Sequence, residues 1–373
     1  MSSLSFWILG TGALLLVIVY LVWWLWSRVI SSRTAQYKFI QIIPSKDSDL
    51  DTLQVRELLK KLHQDLSPKS LMLKLRARAK NLCLYIDAQE PEGIKLIIGI
   101  PAEQLDLVKD LVLAIDPSLE VVNIDYYQKE ALGDPDQLSL VNYRLSRHYA
   151  YPLKVVYSKS ELDPLIALSS VLAKLEAGER VILSLSVASH FSLRTTRLRD
   201  RLLQGETPVL QSRRPMSRFY QLAWLIIKIA IKLISLVLGI INELTKPQHP
   251  GHKRLNRPTN QPITIDNPLS VSMLDKLYEP LFKSSLRLQI YSPSTARRKL
   301  VAQEINLCLH GWGDSGYQRL KPTRRLIGLV ASIDKRLIGY SYNPLEPREL
   351  MSASEIASFY HLPQVAGGQL KLL

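Results

Sequence analysis

Residues 94–124, IKLIIGIPAEQLDLVKDLVLAIDPSLEVVNI, indicate how this chain folds. The mostly apolar run Ile94–Ile100 predicts a strand. A helix is expected from about Ala102 to Ile115, and Asp116-Pro117 ends it because a residue before proline avoids the helical conformation. Val121–Ile124 then predicts a further strand. The stretch therefore predicts a strand, a helix and a second strand in succession.

The residues before this stretch supply the elements that complete a unit. Tyr37–Ile43 (YKFIQII) predicts a strand, and Asp49 or Asp51 is a suitable cap for the leucine-rich helix that follows it. Leu82–Asp87 predicts another strand. The resulting order is βαββαβ, which is the ferredoxin-like arrangement.

A second set of elements predicts a second unit, interrupted by an insertion at about Gly205 to Pro268. Its members are a strand at Leu153–Tyr157, a helix from Asp163-Pro164 to Leu175, a strand at Arg180–Val187, a helix near Leu193–Leu203, a strand at Leu286–Tyr291 and a helix from Ser294 to about Leu309. We therefore expect an α+β protein with two ferredoxin-like units, the second interrupted by an amphipathic or membrane helix.

The N-terminal stretch Leu4–Trp26 predicts a transmembrane helix, because it carries no charged side chain and is long enough to cross a bilayer core of roughly 30 Å. A signal peptide is the alternative, but it would have a basic start and a shorter apolar core. Interfacial tryptophans and a following arginine predict membrane-interface residues and a cytoplasmic C-terminal side. These residues are Trp23, Trp24, Trp26 and Arg28. The expected location is the inner membrane, with one crossing.

The insertion contains a second apolar run, Leu222–Ile241, which carries Lys228 and Lys232. Its polar and small positions fall on one narrow stripe of a helix, and basic residues flank both ends. This pattern favours a helix lying in the membrane interface, with the two lysines toward anionic head groups. A true span and a helix buried against a protein partner are the alternatives.

The formal net charge of +15 and a pI near 9.7 indicate an anionic neighbour, either lipid head groups or nucleic acid. Two basic clusters are candidate phosphate-binding sites, and the first three residues share a helix face by their spacing. These candidates are Arg194, Arg197, Arg201, Arg297, Arg298 and Lys299. A solvated basic face is the alternative. Cys83 and Cys308 are expected to be reduced thiols, since they have no metal or redox spacing.

The motifs of several enzyme classes are absent from the sequence. No P-loop, dinucleotide-binding, H-E-x-x-H or C-x-x-C pattern occurs. His310–Gly316 (HGWGDSG) resembles the oxyanion turn of α/β-hydrolases, but no intact G-x-S-x-G follows, so a turn that ends a helix is the better interpretation. The sequence predicts a protein without catalytic residues, cofactor or metal.

Two pairs of segments resemble the membrane-linked N-terminal region of bacterial conjugation and type IV secretion ATPases, relatives of the FtsK/HerA pumps. The segments are YKFIQIIPSKDSDLDTLQVRELLKKLH (37–63), residues 94–127, LFKSSLRLQIYSPSTARRKLVAQEINLCLHGW (281–312) and NPLEPRELMSASEIASFYHLP (343–363). Asp116-Pro117, Asp125–Tyr127 and Met351–Pro363 match the turns that close the two modules of this family. The resemblance covers most of residues 37–363.

The resemblance ends where the nucleotide-binding motor of that family would begin, because Gln364–Leu373 follow the His-Leu-Pro segment. We therefore expect an accessory half whose motor is a separate chain, or a fragment of a longer gene. The resemblance implies a membrane-anchored, non-enzymatic component of a DNA translocation apparatus, with membrane lipids and a separate P-loop ATPase as partners. It also implies a ring-shaped homo-oligomer.

Two other functions stay open from the sequence. One is a sequence-independent nucleic-acid-binding membrane protein with DNA as partner, and the other is a membrane-surface scaffold unrelated to DNA. The expected divisions are an anchor at 1–34, a first α+β unit at 35–150, a split second unit at 151–204 and 269–340, a membrane-associated helix with a basic linker at 205–268, and a C-terminal docking segment at 341–373.

Overall fold

The computed structural model describes Tyr20 and residues 37–45, 50–66, 81–124, 137–155, 163–205, 268–313, 318–323 and 348–362. No helix within these ranges is long and apolar enough to cross a membrane. The predicted anchor, apart from Tyr20, and the predicted helix at Leu222–Ile241 lie outside the described residues.

The first βαββαβ unit has the elements that the sequence predicts. They are β1 (Tyr37–Ile43), α1 (Thr52–Leu66), β2 (Leu82–Gln89), β3 (Gly93–Pro101), α2 (Leu105–Ile115) and β4 (Glu120–Ile124). The strands lie in the order β4-β1-β3-β2, and each described pair is antiparallel. Asp51 caps α1, because its carboxylate accepts from the Gln54 N–H at 2.8 Å while the Gln54 side chain accepts from the Asp51 N–H at 3.1 Å.

The second βαββαβ unit differs from the prediction at its first strand. Its elements are β5 (Leu138–Leu145), α3 (Pro164–Leu172), β6 (Arg180–His190), β7 (Leu281–Tyr291), α6 (Thr295–Leu309) and β8 (Leu320–Pro322), in the strand order β6-β7-β5-β8. The predicted strand at Leu153–Tyr157 is wrong, since residues 151–155 hold no strand. The Leu153 N–H donates to the Glu355 carboxylate at 2.6 Å and the Lys154 N–H to the Trp312 carbonyl at 3.0 Å, so these donors are used away from the sheet.

The pairing of β6 with β7 joins the two sides of the predicted insertion in the second unit. His190 and Leu281 are Cα partners in this antiparallel pair, although they are 91 positions apart in the chain. Two helices flank the insertion, α4 (Leu193–Leu203) after β6 and α5 (Pro268–Tyr278) before β7. Leu198 and Leu202 of α4 share a small buried cluster with Met273 and Leu277 of α5. The insertion therefore leaves from and returns to one place in the fold.

The two units form one continuous sheet, because β2 pairs antiparallel with β6. Leu84 lies opposite Leu185 and Ile86 opposite Leu183 at this join. A ninth strand, β9 (Glu349–Ser352), pairs with the first residues of β7 and leads into the short helix α7 (Ala353–Ala357). One large core contains residues of α1, α2, α3, α6 and α7 together with one face of the sheet. The described residues thus form an α+β fold with a nine-stranded, mostly antiparallel sheet.

Candidate functional site

The six predicted membrane-interface residues lie outside the described part of the chain. They are Trp23, Trp24, Trp26, Arg28, Lys228 and Lys232. Their contact with lipid stays a prediction. The six predicted phosphate-binding residues are all described, and the structure divides them between two helices.

The first three phosphate-binding candidates lie on α4. Ser192 caps this helix by accepting from the Arg194 N–H at 3.2 Å. Thr195, Leu198 and Leu202 are the buried residues of α4, which is the spacing of one helix face. Arg194, Arg197 and Arg201 are all exposed on the remaining surface of the helix. The predicted common face is therefore confirmed, whereas phosphate binding is not tested by it.

A fourth arginine of α4 has a different environment. The Arg199 guanidinium lies 5.3 Å from the centroid of the Tyr278 ring on α5, and its Nε lies 3.6 Å from the Asp200 carboxylate. This arginine therefore contributes to the contact between α4 and α5, where a cation over an aromatic face is favourable.

The other three candidates lie in the first turns of α6, and two of them are engaged in local structure. The Arg297 Nε lies 3.1 Å from the Glu179 carboxylate and its Nη2 lies 3.6 Å from Glu176. Burial would raise the pKa of the Glu179 carboxyl, but hydrogen bonds from the Glu176 N–H and from Arg297 outweigh burial and the pKa is lowered. Arg297 would have to leave this pair to bind a phosphate.

The Arg298 side chain also makes hydrogen bonds near the start of α6, whereas the Lys299 side chain extends from the exposed surface of this helix. The Arg298 guanidinium donates to the Ser292 carbonyl and, at 2.9 Å, to the Thr295 hydroxyl. Lys299 is exposed. The six candidates therefore do not form one site: α4 packs with α5, whereas α6 packs with α3.

The predicted docking segment at 341–373 is described only at 348–362, and residues 351–362 are all buried. This part is not accessible to a partner in the structure. Ser352 and Glu355 form a capping box around α7, with the Ser352 hydroxyl accepting from the Glu355 N–H and the Glu355 carboxylate from the Ser352 N–H. The pattern Ser-x-x-Glu is a sequence signature of a helix start. The prediction of a docking segment did not take this signature into account.

The Glu355 carboxylate joins three segments that are far apart in the chain. Besides the Ser352 N–H it accepts from the Leu153 N–H at 2.6 Å and from the Lys276 ammonium at 2.8 Å. The side chains of Lys276 and Glu355 are 2 % and 1 % exposed. Because a buried ion pair is stable only when its remaining hydrogen bonds are satisfied, these donors explain how the charges are retained in the core.

A second set of contacts ties the C-terminal segment to both units. The His361 Nε2 lies 3.0 Å from the Asp163 carboxylate, which caps α3, and its Nδ1 lies 3.1 Å from the Ala357 carbonyl. The Trp312 ring stacks on Phe359 with centroids 4.6 Å apart, and its Nε1 donates to the Ser358 carbonyl at 3.0 Å. We call residues 349–362 the C-terminal clamp, since α7 also packs against α1 of the first unit.

The predicted turn at His310–Gly316 is described at 310–313. His310–Trp312 forms a 3₁₀ turn at the end of α6, and Trp312 is fully buried. The function of this turn in the structure is to place Trp312 under the C-terminal clamp.

One histidine and one glutamate of the described residues have strongly shifted pKa values. Burial, together with the nearby Lys283 ammonium and His63, lowers the pKa of His190 to about 4. Burial raises the pKa of Glu349 on β9 to about 7, although Arg144, Lys276 and the Leu145 N–H oppose it. The described residues contain no group of three or more metal-ligating side chains.

Neither a family model nor a curated protein matches the chain. The observations define an α+β protein in which a buried ion pair joins distant segments of the chain and three exposed arginines lie on one face of α4.

Proposed function

We propose that this protein is a membrane-anchored, non-enzymatic component of a conjugation or type IV secretion-like DNA translocation apparatus that works with a separate ATPase. The proposal rests on the resemblance of residues 37–363 to the region that precedes the motor in such ATPases. The observation that carries it is that the two βαββαβ units share one sheet and one core. A rigid two-unit body beside an N-terminal apolar stretch suits an adaptor between a membrane and a motor.

The position of the insertion supports a membrane-surface arrangement. β6 and β7 pair from Arg180–Tyr291 to His190–Leu281, so both ends of the insertion lie on the same side of any bilayer it touches. A single crossing by the apolar run at 222–241 would separate these strands. The pairing therefore favours a helix in the interface over a single span.

The contact with the ATPase is expected outside residues 351–362, because these are buried within the chain. We therefore expect the ATPase to bind exposed parts of the two units or the rest of the segment 341–373.

The test is affinity purification of the full chain from its native host in mild detergent, followed by mass spectrometry of the proteins that accompany it. We expect a P-loop ATPase in near-stoichiometric amount, absent from a purification of an unrelated tagged membrane protein of the same host. Recovery of the chain alone, or with lipid only, would contradict the proposal and favour a membrane-surface scaffold.

Sequence-independent binding of DNA is the second candidate, and the exposure of Arg194, Arg197 and Arg201 on one helix face is the observation that favours it. Three phosphate contacts predict a log–log salt slope of about −3 for duplex DNA. The purified chain is titrated with duplex DNA at several salt concentrations. A slope near zero, or an unchanged affinity in the triple Arg→Gln variant, would contradict it.

A further inference from the structure

The exposed side of α4 combines arginines with large apolar side chains. Phe191, next to the helix, is 71 % exposed and Leu193, its first residue, is 67 % exposed. Arg194, Arg197 and Arg201 are exposed beside them. These five residues are called the α4 surface. The helix carries four arginines and one aspartate, so it has an excess of positive charge.

We propose that the α4 surface lies against an anionic lipid bilayer, with its arginines at the head-group phosphates and with Phe191 and Leu193 in the interface. The inference rests on the proposed function only in that the chain is anchored at a membrane. Basic residues attract anionic lipid, and aromatic and leucine side chains next to them enter the boundary between head groups and acyl chains.

The apolar part of the α4 surface favours lipid over duplex DNA. A DNA backbone offers phosphates to the three arginines, but it offers no apolar layer to Phe191 and Leu193. A bilayer offers phosphates to the arginines and, directly beneath them, an apolar layer to Phe191 and Leu193. The exposed apolar residues near the ends of the two packed helices extend this pattern. They are Leu203 on α4 and Val271 and Tyr278 on α5, at 50, 53 and 58 % exposure.

The place of α4 in the chain supports the same partner. Its last residue, Leu203, directly precedes the insertion, and α5 begins where the insertion ends. The sequence between them contains the apolar run at 222–241 with Lys228 and Lys232, which predicts contact with an anionic leaflet. The two helices are therefore the described elements that flank this run in the chain.

The lipid contact is measured on the full chain in lipid nanodiscs. An environment-sensitive fluorophore is attached at Gln204→Cys, an exposed position just after α4 that leaves the α4 surface intact, in a Cys83→Ala/Cys308→Ala background. A second label at Gln303→Cys, exposed on α6, is the positional control. The discs contain either phosphatidylcholine alone or a mixture with phosphatidylglycerol, each with a spin-labelled lipid that quenches on contact.

We expect quenching at position 204 in the anionic discs, little quenching in the neutral discs, and none at position 303 in either. The variant Arg194→Glu/Arg197→Glu/Arg201→Glu should abolish the quenching, since each basic residue changes partition to an anionic surface about fivefold. The variant Lys61→Glu/Lys154→Glu/Lys174→Glu reverses three exposed lysines elsewhere and should leave the quenching unchanged. Phe191→Ser/Leu193→Ser should weaken it without a change in charge.

Equal quenching in neutral and anionic discs, or none at position 204, would overturn the proposal. A fluorescence change on addition of duplex DNA, without quenching in anionic discs, would also overturn it and assign the α4 surface to nucleic acid. The proposed function is tested by different readouts, namely an ATPase that co-purifies with the chain and the retention of the chain in the discs. Its failure can therefore be told apart from a failure of the lipid contact, which is measured by quenching. If the glutamate variant is unfolded by circular dichroism, Arg194→Gln/Arg197→Gln/Arg201→Gln replaces it with the same expected loss of quenching.

Discussion

At the scale of single residues, Tyr360 carries a buried hydroxyl whose loss of hydrogen bonds to water lowers the stability of the fold. Its hydroxyl is fully buried and has no hydrogen-bond partner among the described residues, and burial raises its pKa well above the usual value. The ring borders an apolar cavity of about 10 Å³ between α1, α2 and the sheet. An unpaired buried hydroxyl costs about 1–3 kcal/mol relative to water.

We expect Tyr360→Phe to be neutral or to raise the free energy of unfolding by about 1 kcal/mol, since it removes an unpaired polar group. Tyr143→Phe is the matched control, because the Tyr143 hydroxyl donates to the Asn306 side chain and its loss should cost about 1 kcal/mol. Denaturant unfolding in detergent measures both. A clear loss of stability in Tyr360→Phe would mean that its hydroxyl has a partner.

His190 and Glu349 make opposite contributions to the dependence of stability on pH. The pKa of His190 falls from 6.5 to about 4 on folding, so stability is lost as pH falls below 6.5, because the unfolded chain binds the proton first. The pKa of Glu349 rises from 4.5 to about 7, so stability is lost as pH rises from 4.5 through 7. Between pH 5 and 7 the two effects nearly cancel.

Single variants should therefore separate the two effects. Relative to the unaltered chain, His190→Asn should gain about 2 kcal/mol of stability on going from pH 7 to pH 5, since a depressed histidine no longer opposes folding there. Glu349→Gln should lose a similar amount over the same range. Unfolding free energies at the two pH values measure this. The same pH dependence in both variants would contradict the pKa assignments.

At the scale of elements, the sequence predicted the first unit better than the second. The first four strands were predicted within two residues at each end, because their apolar runs are bounded by turn residues. β5 was missed since Asn142 and Arg144 interrupt its apolar pattern, and the Asn142 side chain accepts a hydrogen bond from Arg287 on β7, at 2.9 Å. A pairing between residues 145 positions apart is not readable from local periodicity.

Contacts between residues far apart in the chain also limited the prediction of the candidate site. Spacing alone placed Arg194, Arg197 and Arg201 on one helix face. It could not indicate that Arg297 pairs with Glu179, which lies 118 positions earlier and is brought to α6 by the sheet. It also could not indicate that the residues around Glu355 are buried, because their partners Leu153 and Lys276 come from two other segments.

The C-terminal clamp depends on the Glu355 carboxylate. We expect Glu355→Gln to lower the free energy of unfolding by about 3 kcal/mol, since it leaves the Lys276 ammonium buried without its counter-charge. Glu57→Gln is the control: its carboxylate also meets a lysine at 2.8 Å, but its side chain is 52 % exposed, so the change should cost less than about 1 kcal/mol. Denaturant unfolding in detergent compares the two.

The double variant Lys276→Met/Glu355→Gln tests the same mechanism from the other side. It removes both buried charges and should be more stable than Glu355→Gln alone. Equal stability of the double and the single variant would show that the uncompensated lysine does not set the cost, and would leave the weakened hydrogen bonds from the Leu153 and Ser352 N–H groups as its source.

At the scale of the whole molecule, the join between β2 and β6 decides whether the two units act separately. Leu84 and Leu185 face each other there, and both belong to the core that also holds α1, α2, α3 and α6. Across the same join the Arg180 guanidinium donates to both oxygens of Asp87, at 3.0 and 2.6 Å, and the Asp87 side chain is 5 % exposed. Units that share a sheet, a core and an ion pair are expected to unfold together.

Leu185→Ala tests this cooperativity, because it removes about 2–5 kcal/mol of packing at the join. Hydrogen exchange of the full chain, read by mass spectrometry, should show the same loss of protection in β1–β4 as in β5–β8. Leu198→Ala is the matched control: Leu198 belongs to the small cluster between α4 and α5, so its loss of protection should be confined to those helices. If Leu185→Ala weakened protection only in β5–β8, the first unit would be an independently stable domain, and an adaptor that transmits force between membrane and motor would have a flexible joint at this point.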